Sequence, residues 1–214
     1  MKVSHMILKT KDLKQAVNEY REKGFEVEYG SAKNPYNAII YFSEGPYLEL
    51  LASTGMPGFV KKLLRLAGKG KFVDRMDFWE NHPGGLCGLA LETYEPTLEK
   101  EQKLLEQENQ GYFMTNSRRD DTKGRKLRFT CLFPYDLQIP FLMTYFNIDP
   151  KPKNFVHPNG AKKITSVAFG TKKEYIPFIQ SLCDDPTLAL FVGDGIRDME
   201  IEYETKSKEN ENNF

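Results

Sequence analysis

The stretch HMILKTKDLKQAV (residues 5–17), followed by NAIIYFSEGPYLELL (residues 37–51), decides the fold. Val3–Lys9 is a short β-like run. Asp12 then caps a helix in which Leu13, Ala16, Val17 and Tyr20 recur at helical spacing until Gly24 stops it. Phe25–Tyr29 alternates apolar and charged residues, as a half-buried strand does. Asn37–Phe42 and Tyr47–Leu51 are two further apolar runs, with Glu44-Gly45-Pro46 turning between them. The order is β-α-β-β-β. Strand alternation puts His5 on one face with Ile7 and Lys9, and Glu49 on one face with Tyr47 and Leu51. Met6, Leu8, Leu48 and Leu50 then turn toward the helix.

Outward from this stretch the same order returns. Leu86–Leu91 reads as a strand, Thr97–Gln107 as an exposed helix opened by Glu95-Pro96, and Gly111–Thr115, Lys126–Phe133 and Ile139–Tyr145 as three strands. A repeat on this scale weighs more in the fold assignment than any single residue. Between the repeats, Met56–Trp79 places Phe59-Val60, Leu63-Leu64 and Leu66-Ala67 at helical spacing beside Lys61, Lys62, Arg65, Lys69 and Lys71. A basic amphipathic helix can signal anionic partners. Asp74, Asp77 and Glu80 follow and balance it, so a solvated face on a connecting helix is expected. Beyond Asp149-Pro150-Lys151-Pro152, a strand at Ile164–Phe169, a helix over Lys172–Leu182 in spite of Pro177 near its middle, and strands at Leu188–Val192 and Asp198–Tyr203 form a β-α-β-β extension. The expected division is a βαβββ module at 1–54, a helical insert at 55–85, a second module at 86–148, the extension at 157–205 and a disordered tail at 206–214. The fold class is α+β.

The 214 residues carry 30 basic and 30 acidic side chains, a net charge of zero, which removes the basic footprint of a dedicated nucleic-acid binder. Cys87, Cys131 and Cys183 each sit in an apolar run without a CxxC pair, so buried free thiols are expected. No apolar run approaches the roughly 18–20 residues of a membrane span, and MKVSHMILKTKDL lacks a signal-peptide core. The chain reads as cytoplasmic and soluble, with no nucleic-acid or membrane partner.

Chemistry must come from few residues. A glutamate between leucines, as in YLELL, needs a partner for its charge. A divalent metal shared with His5 is one such partner, and a salt bridge or an edge-exposed carboxylate is the alternative. Arg118 and Arg119, in a segment read as the loop joining two strands, suit a carboxylate or phosphate. A solvated hairpin balanced by Asp120 and Asp121 is the other reading. Tyr36, Asn37 and Trp79 are candidate cleft walls, with Tyr47 on the Glu49 face. His82 and His157 both precede proline and read as turn residues. Gly193-Asp194-Gly195 reads as a turn.

HMILKTKDLKQAV, a glycine-ended helix and NAIIYFSEGPYLELL together resemble the first module of the vicinal oxygen chelate superfamily, more narrowly its glyoxalase-like branch. HPNGAKKI (157–164) resembles the start of that branch's extra segment. The resemblance implies paired βαβββ modules forming a cup-shaped mixed sheet of the glyoxalase, bleomycin-resistance and dioxygenase type, around a cleft for a small-molecule ligand. It implies metal positions at His5 and Glu49, with Glu49 also a proton acceptor, and in such a cleft Arg118, Arg119, Asn37 and Tyr47 are the expected ligand contacts. Aligning Glu95 with Asp12 sets Gly88 in the place of His5 and Thr144 in that of Glu49, neither a strong ligand. Two functions follow. One is a lyase- or isomerase-type enzyme assisted by Zn, Mn, Ni or Mg; the other is a metal-free binding or drug-sequestering protein. Either could be a homodimer.

Overall fold

The fold begins with β1 (Lys2–Lys9) running into α1 (Leu13–Glu22), and Asp12 is the hinge between them: its carboxylate accepts the Gln15 N–H at 2.9 Å. That side-chain cap satisfies one of the helix's free N–H groups. Gly24 ends the helix with a φ of +80°, a conformation that favours glycine. The strands β2 (Glu28–Tyr29), β3 (Asn37–Ile40) and β4 (Tyr47–Leu51) complete the first repeat. The computed structural model describes residues 1–204, so the tail expected to be disordered at 206–214 lies outside the described residues.

The insert forms two helices rather than one. α2 (Gly58–Leu66) ends before Gly68, whose φ is +74°, and α3 (Gly70–Asn81) follows. The second repeat comprises β5 (Gly85–Thr93), α4 (Glu99–Gln107), β6 (Tyr112–Asp120), β7 (Lys126–Pro134) and β8 (Phe141–Thr144). β6 runs to Asp120, so Arg118 and Arg119 are strand residues paired with Arg128 and Leu127, not the loop the sequence suggested. The turn instead spans Asp121–Arg125, where the buried Asp121 carboxylate accepts the N–H groups of Lys123 and Arg125. The extension contains β9 (Ala161–Thr171), α5 (Ile176–Leu182), β10 (Leu188–Val192) and β11 (Gly195–Tyr203). Pro177 causes no break, because it occupies the first turn of α5, where its missing N–H costs nothing.

The eight strands of the two repeats form one curled sheet, a half-barrel in the order β2-β3-β4-β1-β5-β8-β7-β6. β1 and β5 pair antiparallel at its centre, and each is flanked by the parallel last strand of its own repeat, β4 and β8. The mixed α+β fold with a cup-shaped sheet is thus present. Strand alternation divides the core in two. Met6, Leu48, Leu50, Leu89 and Leu91 pack outward against α1 and against β9 and α5 of the extension. Ile7, Tyr41, Tyr47, Phe141 and Met143 line the concave side, over which α3 lays Phe72, Met76 and Trp79.

Candidate active site

On the concave side a cavity of about 370 Å³ opens between the sheet and α3. His5, Asn37, Tyr47, Glu49, Arg118 and Arg119 all border it, on four strands of both repeats. Its other walls are mainly apolar, with Trp79, Phe129, Phe133, Phe141, Met143 and Phe146 among them.

The polar end is built on the β1–β4 pair. His5 is 4 % exposed and stacks on Tyr47, with ring centroids 4.5 Å apart, while Phe141 meets its edge. His5 Nε2 lies 3.4 Å from Glu49 Oε2, and Asn37 Nδ2 donates to Glu49 Oε1 at 2.6 Å. Burial works against the Glu49 charge, but the hydrogen bonds from His5 and Asn37 outweigh it, and the carboxyl titrates below its ordinary value. An ionised base held beside an imidazole is therefore in place.

Two participants were not anticipated. The pairing of β1 with β5 shifts between Val3 and His5, so Ser4 sits in a β-bulge. The bulge turns Ser4 and His5 toward the same side. Ser4 Oγ donates to Glu92 Oε2 at 2.5 Å and lies 3.0 Å from His5 Nδ1. The chain Glu92–Ser4–His5–Glu49 therefore crosses the seam between repeats and grips the imidazole at both nitrogens. Glu92 is 2 % exposed, and burial raises its pKa. GLALET carries a hint, since Glu92 interrupts an apolar run, but only the bulge brings Ser4 to it.

Arg119 occupies the cavity's other polar edge. Its Nη2 donates to Tyr41 Oη at 2.6 Å, and its guanidinium lies 5.7 Å from the centroid of Phe146. Its Nε is buried and has no hydrogen-bond partner. Burial opposes the charge, but the neighbouring Tyr41, Tyr47 and Glu49 hold its pKa above the usual arginine value. Arg118, exposed on the same strand, borders both this cavity and a wider outer groove of about 1370 Å³.

The second repeat does not supply donors where the sequence alignment looked for them. The β5–α4 connection is longer than that between β1 and α1, so matching helix starts misaligns the strands. Ala90 pairs with His5, and Gly88 pairs with Ile7 beneath Trp79. Thr144 Oγ1 accepts the Thr130 N–H at 2.9 Å, and it is Phe141 and Met143 of β8 that face the concave side. His82 caps the end of α3, and His157 is buried among Phe25, Phe42 and Phe155, accepting the Glu26 N–H at 2.9 Å. Among the described residues no three His, Cys, Asp or Glu side chains converge as metal ligands. Two donors, one already holding Asn37, do not fit a tightly held divalent ion, which takes three or four protein ligands.

The thiols are buried or half-buried and free, and burial pushes those of Cys87 and Cys131 up to about 12. They are poor nucleophiles in this state. No described helix is long and apolar enough to cross a membrane.

The model of a glyoxalase-like domain family matches residues 3–177. Among solved structures, a hypothetical protein from Staphylococcus aureus is similar at 16% identity and a TM-score of 0.61, over 92% of this chain and 88% of that one. Streptomyces coelicolor methylmalonyl-CoA epimerase, in complex with 2-nitronate-propionyl-CoA, matches at 19% identity and a TM-score of 0.42, over 67% of this chain and 95% of that one. The epimerase from Mycobacterium tuberculosis matches at 13% identity and a TM-score of 0.39, over 70% and 89%. No curated protein matches. At these identities the structural likenesses speak to the fold alone.

Proposed function

The chain belongs to the glyoxalase-like domain family, and from that premise we propose that it binds a small, partly aromatic acid in the inner cavity without a resident metal. The observation that carries this reading is Arg119: a half-buried guanidinium, bonded to Tyr41 and in no ion pair among the described residues, at one polar edge of a cavity walled largely by aromatic side chains. A cavity-edge guanidinium with no carboxylate partner suits a ligand carboxylate, which it would hold by a charge-assisted bond. The aromatic walls give the rest of the ligand apolar surface to cover. Asn37 and Tyr47 shape the polar end, and Arg118 stands at the mouth.

A second reading is supported by the Glu49–His5 contact. An ionised carboxylate beside an imidazole is suited to take a proton from an acidic C–H or O–H of the bound molecule, which is isomerase- or lyase-type chemistry. His5, held by Ser4 and Glu92, positions that base.

Titration calorimetry with benzoate and phenylacetate against benzamide, in the presence of EDTA, tests the binding reading. The acids are expected to bind and the amide not. Arg119→Met is expected to weaken the acids about 10- to 100-fold, the equivalent of one charge-assisted hydrogen bond. Binding that appears only with added Mn²⁺ or Zn²⁺, or equal affinity for acid and amide, refutes it.

A further inference from the structure

Helix α2 leaves most of its surface in solvent. None of its nine residues is buried, and Phe59, Leu63 and Leu66 are 66 %, 61 % and 86 % exposed. Their spacing of four and three residues aligns them in one stripe. The sequence anticipated a solvated basic face here; the structure leaves the apolar stripe in solvent as well. Only the inner side is engaged, where Leu64 packs toward the cavity-side core.

The charges around the stripe are of one sign. From Met56 to Lys71 there are five basic residues and no acidic one. Lys61 and Arg65 are spent inward on Asp74 and Asp77, at 2.7 to 2.8 Å, and these ion pairs hold α2 against α3. Lys62 and Lys69 are exposed and enter no ion pair among the described residues, whereas Lys71, also exposed, lies over the Tyr135 ring, 5.8 Å from its centroid. Exposed phenylalanine and leucine flanked by lysines outside any ion pair is the chemistry of a helix lying in a bilayer interface.

We propose that α2 docks this protein peripherally on an anionic membrane surface, with Phe59, Leu63 and Leu66 entering the headgroup boundary and Lys62 and Lys69 facing the lipid phosphates. A second copy packed stripe to stripe would bring two such basic segments together, and like charges oppose that pairing. A single protruding helix also offers a partner peptide no groove, whereas a flat, deformable lipid surface needs none.

Vesicle flotation of the full chain tests this, with phosphatidylcholine vesicles containing phosphatidylserine against phosphatidylcholine alone. Binding is expected only to the anionic vesicles, and is expected to fall steeply in high salt. Each basic residue near such a surface is worth roughly a fivefold preference, so Lys62→Gln with Lys69→Gln lowers partitioning by about 25-fold. Phe59→Asp with Leu66→Asp abolishes it. All four positions are exposed, and circular dichroism with thermal melts verifies that each variant folds. No binding to either vesicle overturns the proposal, as does equal binding to both. A wild-type dimer that the Phe59/Leu66 variant converts to monomer, without vesicle binding, assigns the stripe to a second copy instead.

Discussion

Glu49→Gln is the most informative single change at the polar end. Glutamine keeps the shape and an oxygen for Asn37, whose Nδ2 donates at 2.6 Å, but removes the negative charge facing His5 Nε2 at 3.4 Å. The side chains are 5 % and 16 % exposed, so solvent screens the contact little. One hydrogen bond to a charged group contributes about 1.5–3 kcal/mol. At about 2–4 °C per kcal/mol for a chain of this size, the melting temperature at pH 7 is expected to fall by about 3–12 °C. The pH dependence carries the stricter test. The folded Glu49 carboxyl titrates below its ordinary value. Its stabilisation is therefore fully present above the unfolded carboxyl pKa of about 4.3, and is lost as pH falls through the lower folded value. Scanning calorimetry of both proteins from pH 8 to pH 3 should show a gap that is constant near neutrality and closes in acid. A gap that persists unchanged to pH 3, or none at pH 7, refutes the argument that the carboxylate is held ionised by His5.

Glu92→Gln has the opposite sign: burial raises the folded pKa, so the native carboxyl's favourable contribution is present below about pH 4.3 and lost as pH rises through the folded value. The glutamine variant should match the wild type in acid melts and exceed it at pH 8; a loss at pH 8 refutes this. Gly88→Ala should cost about 1–3 kcal/mol by overpacking, because a Cβ would lie 2.9 Å from both Ile7 Cδ1 and Trp79 Nε1. Denaturant titration followed by Trp79 fluorescence measures it, and an unchanged midpoint counts against the packing described. Cys131, buried with its thiol pushed up to about 12, should react with a disulfide reagent in the native state only as fast as the protein opens. Fast labelling of Cys131, located by peptide mapping, would contradict its burial.

The first repeat was readable because its signals are local. Asp12 and Gly24 bound a helix whose apolar spacing is unambiguous, and period-two alternation sorted Ile7, Tyr47 and Leu51 from Met6, Leu48 and Leu50. The second repeat was read less well. Arg118 and Arg119 look like loop residues by composition, yet nine paired residues of β6 hold them in a strand. Pro177 sits near the middle of the expected helix and in the first turn of the actual one, because the helix start at Ile176 has no local signal. The division at Gly68 was missed because one glycine inside an amphipathic pattern does not by itself announce a turn.

The sequence by itself determined the repeat, the α+β class, and the candidacy of His5 and Glu49, since all three follow from residue type and short-range periodicity. Only the tertiary structure decided which groups meet. Ser4 reaches Glu92, 88 positions away, through a bulge in the β1–β5 ladder. Arg119 reaches Tyr41 across 78 positions, and Ala90 rather than Gly88 stands beside His5. Register between distant strands is set by loop lengths and by the packing of whole faces. A one-residue slip reverses which side chains face the cavity, and nothing in the local sequence records that choice.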